Sequence, residues 1–227
     1  MNLRYVIALS LSIALAFSLF PSLSAFAQST TAAPAAAAID PAKLTLPDPA
    51  ECLRRVRAFE PTLLNLKDTC KGTINAIIPD AAAYEKTLPP IDKVIAEKDA
   101  KNFRNYGGLS EAFYYNDNAD RGKELFSKFE ANAESILGAE DTFLGLVKGD
   151  IGLYYYFQND FANAETYILD AVSKLEPHLN AANSNNVLSS YMALCLIYDK
   201  AGKQDKALAY ATKAVDLSIR QRQAPVK

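Results

Sequence analysis

The chain is poor in the residues that usually carry site chemistry, with one histidine and three cysteines in 227 residues. The histidine, His178, follows Pro177 in a predicted loop and has no Ser or Cys nucleophile motif beside it. No H-E-x-x-H, G-x-S-x-G, phosphate-binding glycine loop or calcium-loop pattern occurs, so the common hydrolase, nucleotide and calcium chemistries have no motif to rest on. Acidic residues such as Glu130, Glu134, Asp141 and Asp150 are scattered, and spacing singles out no carboxylate pair. The expectation is a protein that is not an enzyme and uses no cofactor and no metal.

Charge of one sign is also lacking. Beyond Arg4, 23 basic residues stand against 26 acidic ones, which gives no electrostatic reason to expect nucleic acid or an anionic membrane as partner. Long apolar runs are confined to the start. Met1 to Ala27 has the layout of a secretory signal: Arg4, an apolar run from Tyr5 to Phe20, then Ala25-Phe26-Ala27 as a small-residue cleavage pattern. The alternative, an uncleaved anchor, is disfavoured because a span needs about 20 apolar residues. The expected location is therefore the periplasm or outside the cell, with no membrane span once the signal is removed. Residues 28–48, rich in Ala and Pro, read as a disordered linker, since prolines block helix and few large apolar groups are offered to a core.

From about Asp48 onward apolar residues recur at three- and four-residue spacings without the alternation of strands, which makes the class all-α. Residues 49–101 form an expected N-terminal helical lobe. Its first helix pair runs from Pro49 to Phe59 and from Pro61 to Ile78, Pro61 restarting the second helix at a position proline tolerates. Two shorter helices follow, punctuated by Pro79-Asp80 and Pro89-Pro90. Cys52 and Cys70 would lie level across that hairpin, and in an exported protein a disulfide is the leading reading. It would close a loop of about 17 residues and contribute about 3 kcal/mol in the chain-entropy account. Two buried free thiols are the alternative; a zinc site has neither C-x-x-C spacing nor a nearby histidine.

After Asn102 one pattern occurs three times. The clearest copy has Ile151-Gly152, Tyr155, the turn Asn159-Asp160-Phe161, then Ala164 and Ala171. Another has Tyr191, Leu194-Cys195, Tyr198, the turn Gly202-Lys203-Gln204, then Ala207 and Ala214. The remaining copy has Tyr106, Leu109-Ser110, Phe113, the turn Asp117-Asn118-Ala119, then Gly122 and Phe126. Leu109 and Ile151 are 42 residues apart, and Ile151 and Leu194 are 43. Small residues at Gly152, Cys195 and Ser110 would let a neighbouring helix approach closely, with Ala164 and Ala207 doing the same from the facing helix. Gly145, Gly149 and Gly152 on one predicted helix read the same way.

These residues resemble the tetratricopeptide repeat family, whose first helix carries an aromatic, a Leu-Gly or Leu-Ala pair and a Tyr, and whose second carries small residues. The resemblance covers about residues 103–221, within an expected repeat domain of residues 102–222. It implies a right-handed solenoid of antiparallel helix pairs, with residues 49–101 as a cap on the first repeat. The sequence departs from the family in three ways. Its period exceeds the usual 34 or so, Pro177 sits one residue late, and large Phe129 stands where the other copies have Ala171 and Ala214. The extra length is expected in the loops around Ala133 to Asp141 and Pro177 to Asn186.

The resemblance further implies an inner face made by the first helix of each pair. It carries Arg104, Glu111, Tyr114 and Tyr115 from the first copy, Leu153, Tyr156 and Phe157 from the second, and Met192, Leu196, Asp199 and Lys200 from the third. Positions that form a carboxylate clamp in some members hold Gly107, Gly108, Gly149, Asp150 and Ala193, so no such clamp is implied. A groove lined by Tyr114, Tyr115, Leu153, Tyr156, Phe157, Met192 and Leu196 suits an apolar peptide or helix of a partner protein. Equally, the same rings can be core, or be covered by the N-terminal lobe or by a second copy in a homo-oligomer, which would make the chain a self-associating structural protein or a small hydrophobic-ligand binder with its aromatic face closed off.

Overall fold

The computed structural model describes residues 45–223; the expected signal segment and all but the end of the linker lie outside them. Nine α-helices follow in order: α1 (Pro49–Ile77), α2 (Ala81–Glu85), α3 (Ile91–Ala96), α4 (Ala100–Tyr115), α5 (Ala119–Leu137), α6 (Phe143–Phe157), α7 (Phe161–Leu175), α8 (Ser184–Lys200) and α9 (Gln204–Gln223). No strand occurs among the described residues, in line with the all-α expectation. Local chemistry sets the starts. The side chains of Asp48, Asp80, Asp99, Asn118 and Asp160 each accept a backbone N–H of the first turn of α1, α2, α4, α5 and α7.

Helices α4 to α9 pack as three consecutive pairs, α4 with α5, α6 with α7 and α8 with α9, and α6 joins the other two through α4 and α8. The turn inside each pair is the same object three times. Asp117, Asn159 and Gly202 all take a left-handed backbone, with φ of 62°, 60° and 69°. The next N–H then bonds back to a carbonyl five residues earlier: Asn118 to Phe113, Asp160 to Tyr155 and Lys203 to Tyr198, at 3.0, 3.0 and 2.9 Å. Asp, Asn and Gly are the residues that enter this region most readily. The rings beside the turn repeat too: Tyr155 stacks on Tyr167 and Tyr198 on Tyr210, with centroids 5.5 and 5.6 Å apart.

Close approach within and between the pairs depends on glycine. A Cβ placed on Gly152 would lie 2.5 Å from Cγ1 of Ile168, and one on Gly107 would lie 2.7 Å from the Phe143 ring. Gly107 also accounts for Phe129. The Phe129 ring reaches the space above that glycine and stacks on Phe103 at 4.8 Å, whereas the corresponding Gly149 faces the small Ala171 and Ser190. The additional length of the first copy lies in α5, which at 19 residues exceeds the 15 of α7, and not mainly in a loop. In the second copy it does lie in the connection, through the short 3-10 turn Glu176–His178.

The N-terminal region differs most from expectation. Helices α2 and α3 rest on α4, as a cap would. The expected hairpin of Pro49 to Phe59 and Pro61 to Ile78 is instead one helix, α1, of 29 residues with Pro61 inside it. An interior proline costs about 3 kcal/mol of helix stability, and burial offsets it. Leu53, Val56, Leu63, Leu66, Cys70 and Ile74 form one buried stripe whose three- and four-residue phase runs through the proline by way of Phe59.

A single helix also overturns the proposed Cys52 to Cys70 disulfide. Eighteen residues are five helical turns, which puts both thiols on one face but about 27 Å apart, far outside the reach of a disulfide. Cys52, Cys70 and Cys195 are all unpaired and buried.

Candidate functional site

The seven residues expected to line a groove lie on α4, α6 and α8, and all are buried; Tyr115 and Tyr156 mark one side of these helices, while the Tyr114 ring packs against Gly122, Tyr154 and Tyr155. Tyr114, Tyr115, Leu153, Tyr156, Phe157, Met192 and Leu196 are at most 8% exposed. What lies over this side is α1, which packs on α9, α8, α4 and α6. Its path can be followed residue by residue. Near its start Cys52 lies beside Thr212 of α9. At its middle Arg57 grips Asp199 of α8 through two hydrogen bonds of 2.8 and 2.6 Å. Glu60 receives Lys200 of α8 at 2.7 Å and the Tyr156 hydroxyl of α6 at 3.4 Å. Toward its end Cys70 meets Tyr115 of α4, and Lys71 pairs with Asp117 at 3.4 Å. The helix thus crosses all three pairs, from the last to the first.

Apolar contact carries most of this docking. Fully burying a large apolar side chain contributes about 1.5–3 kcal/mol, and α1 buries Leu53, Val56, Leu63, Leu66 and Ile74. The polar contacts set register. The Arg57 guanidinium holds the Asp199 carboxyl below its ordinary range, but Arg57 is half exposed, so this pair adds less than about 1 kcal/mol.

Beneath α1 lies a feature that spacing did not reveal. Glu111 of α4 and Asp150 of α6 are 3% and 6% exposed and interact electrostatically. Among the described residues neither forms an ion pair, and Asp150 Oδ1 has no hydrogen-bond partner. The nearby Lys148 is committed elsewhere, to Glu130 and Asp170. Burial raises both acids, Asp150 to about 7, with the mutual repulsion adding to the rise at Glu111. Tyr115 donates its hydroxyl to the Asp150 backbone carbonyl at 3.1 Å.

The remaining candidates are less connected. Burial pushes the thiols of Cys70 and Cys195 up to about 12, which makes them poor nucleophiles at neutral pH. His178 Nε2 faces Glu140 at 3.2 Å at the surface. Among the described residues no three His, Cys, Asp or Glu side chains gather as a metal site would require, and no helix is long and apolar enough to cross a membrane.

Sequence reading missed Arg57 and Glu60 because it treated the first helix pair as a cap. A signal existed: Asp199 and Lys200 on the inner face are adjacent opposite charges, and α1 carries the complementary Arg57 and Glu60 one turn apart. Comparison of the sequence with family models and curated proteins, and of the fold with solved structures, finds no match.

Proposed function

We propose that the chain is an exported, non-catalytic interaction module: a tetratricopeptide-like, right-handed stack of helix pairs whose inner face receives one amphipathic helix. The observation that carries this reading is the lie of α1 across α9, α8, α6 and α4, with its apolar stripe down and its charges matched at Arg57 and Glu60. The face is therefore suited to a helix with apolar residues at three- and four-residue spacing and an Arg and an acidic residue three apart. A partner helix of this kind competes with α1. The leader pattern of Met1 to Ala27 supports placing this module in the periplasm or outside the cell.

The test uses a labelled peptide of residues 49–77 added to the mature chain and to an Arg57→Ala/Glu60→Ala variant. Fluorescence anisotropy should show weak binding to the first and tighter binding to the second, lost again on adding Tyr156→Ala. Absence of binding to either chain, with both folded by circular dichroism, would overturn the reading.

A second reading follows from the same covered face. If α1 changes places between two copies, the protein is a self-associating structural unit. Sedimentation then gives a dimer that dissociates when Leu63 and Leu66 are replaced by Ala, whereas the first reading gives a monomer.

A further inference from the structure

The cover over the inner face is laid directly on two acids that have no counter-ion. Glu111 and Asp150 come from the first two helix pairs, and Cys70 on α1 interacts with both of them. The groups facing them are few. From α1 comes the Cys70 thiol, and from α4 the Tyr115 hydroxyl, which is bonded to the Asp150 carbonyl. From α8 comes Ser190, which does not titrate and stands against the neighbouring Gly149. The cations of adjoining elements are engaged away from the pair: Lys148 with Glu130 and Asp170, Lys71 with Asp117, Arg121 with Glu85 and Glu124. No positive group is therefore placed to receive a negative charge formed under α1.

We infer that Glu111 and Asp150 form a pH-sensitive latch: as neutral acids they let the second half of α1 lie on the inner face, and as carboxylates they drive it off.

The physical reason is a difference in solvation between the two states. With α1 down, both acids sit in a dry interface where an unpaired charge is strongly disfavoured. With the second half of α1 lifted, the acids on α4 and α6 face water and ionise at ordinary acidic pH. Protons thus bind the covered state more tightly than the open one. Raising the pH from the open-state value toward the covered-state value, about 7 for Asp150, shifts the population toward the open state, and the contribution of that acid is complete above it. The latch rests on the proposed role of the inner face as a helix-binding surface, and it adds the condition under which that surface is offered.

Hydrogen exchange read by mass spectrometry on the full mature chain tests the latch without any partner. Rates are normalised to intrinsic exchange at each pH from 5.5 to 8.5. Residues 63–77 of α1 are compared with residues 187–198 of α8 in the same molecule. Protection of the α1 segment should fall with rising pH by up to about tenfold per pH unit for each acid that is ionised only in the open state, the share of Asp150 levelling off above about 7, while the α8 segment stays level. Glu111→Gln/Asp150→Asn should remove the slope, and Asp150→Asn alone should reduce it. Equal pH behaviour of both segments, or an unchanged slope in folded variants, would overturn the latch. That result leaves the helix-binding reading standing. Conversely, failure of the 49–77 peptide to bind at any pH would remove that reading without touching the exchange result.

Discussion

Two glycines on neighbouring helices should respond to the same substitution in opposite directions. Gly108 sits inside α4 with nothing within 4 Å of a built Cβ, so Gly108→Ala should gain helix stability of up to about 1 kcal/mol. At Gly152 the added methyl meets both the side chain and the backbone of Ile168, at 2.5 and 3.1 Å, and Gly152→Ala should lose about 1–3 kcal/mol by forcing α6 and α7 apart. Thermal unfolding of the two variants checks both signs at once. The three thiols give a second residue-scale prediction. Denatured without reductant, the mature chain should show all three reacting with a thiol reagent. A count of one would mean a disulfide and a different arrangement of α1.

At the level of the element, α1 is held as one continuous helix by its surroundings against its own proline. Pro61 is exposed and lacks the N–H that would complete the helix there. Pro61→Ala should stabilise the protein by about 2 kcal/mol, the helix gain of about 3 being reduced by the greater freedom of the unfolded chain. Chemical denaturation measures this directly. A loss of stability would show that the proline is needed to shape α1 onto the inner face. The helices themselves were legible: the all-α class, the three copies and their turns follow from periodicity and from Asp117, Asn159 and Gly202. The continuity of α1 was less so, because a proline usually ends a helix. Only the unbroken phase from Val56 through Phe59 to Leu63 argued otherwise.

At the level of the whole molecule, stability should depend on pH through groups of opposite sign. Asp199 is lowered by Arg57, so its stabilising effect is present above its unfolded value and fades as pH falls through its folded value. Being near the surface, it contributes little. Glu111 and Asp150 are raised, so the stability associated with them is complete below their unfolded values and is lost as pH rises through the folded ones. The urea midpoint of the mature chain should therefore decline as pH rises from about 4, near the unfolded values, toward the folded ones, about 7 for Asp150, and Glu111→Gln/Asp150→Asn should flatten that decline. An unchanged midpoint between about pH 4.5 and 7, the window set by the unfolded values and the folded value of Asp150, would contradict the burial of the pair.

By itself the sequence determined which segments are helical and where the pairs turn. These depend on contacts three or four residues apart and on single backbone conformations, both of which are local. Tertiary structure alone decided that α1 is one helix, that it meets Tyr115, Tyr156 and Asp199, and that Glu111 meets Asp150. Each of these joins distant parts of the chain, as Arg57 and Asp199 do across 142 residues. No local pattern encodes such a meeting. It follows from the burial of one apolar stripe against another, which many pairings satisfy and packing and charge then narrow to one.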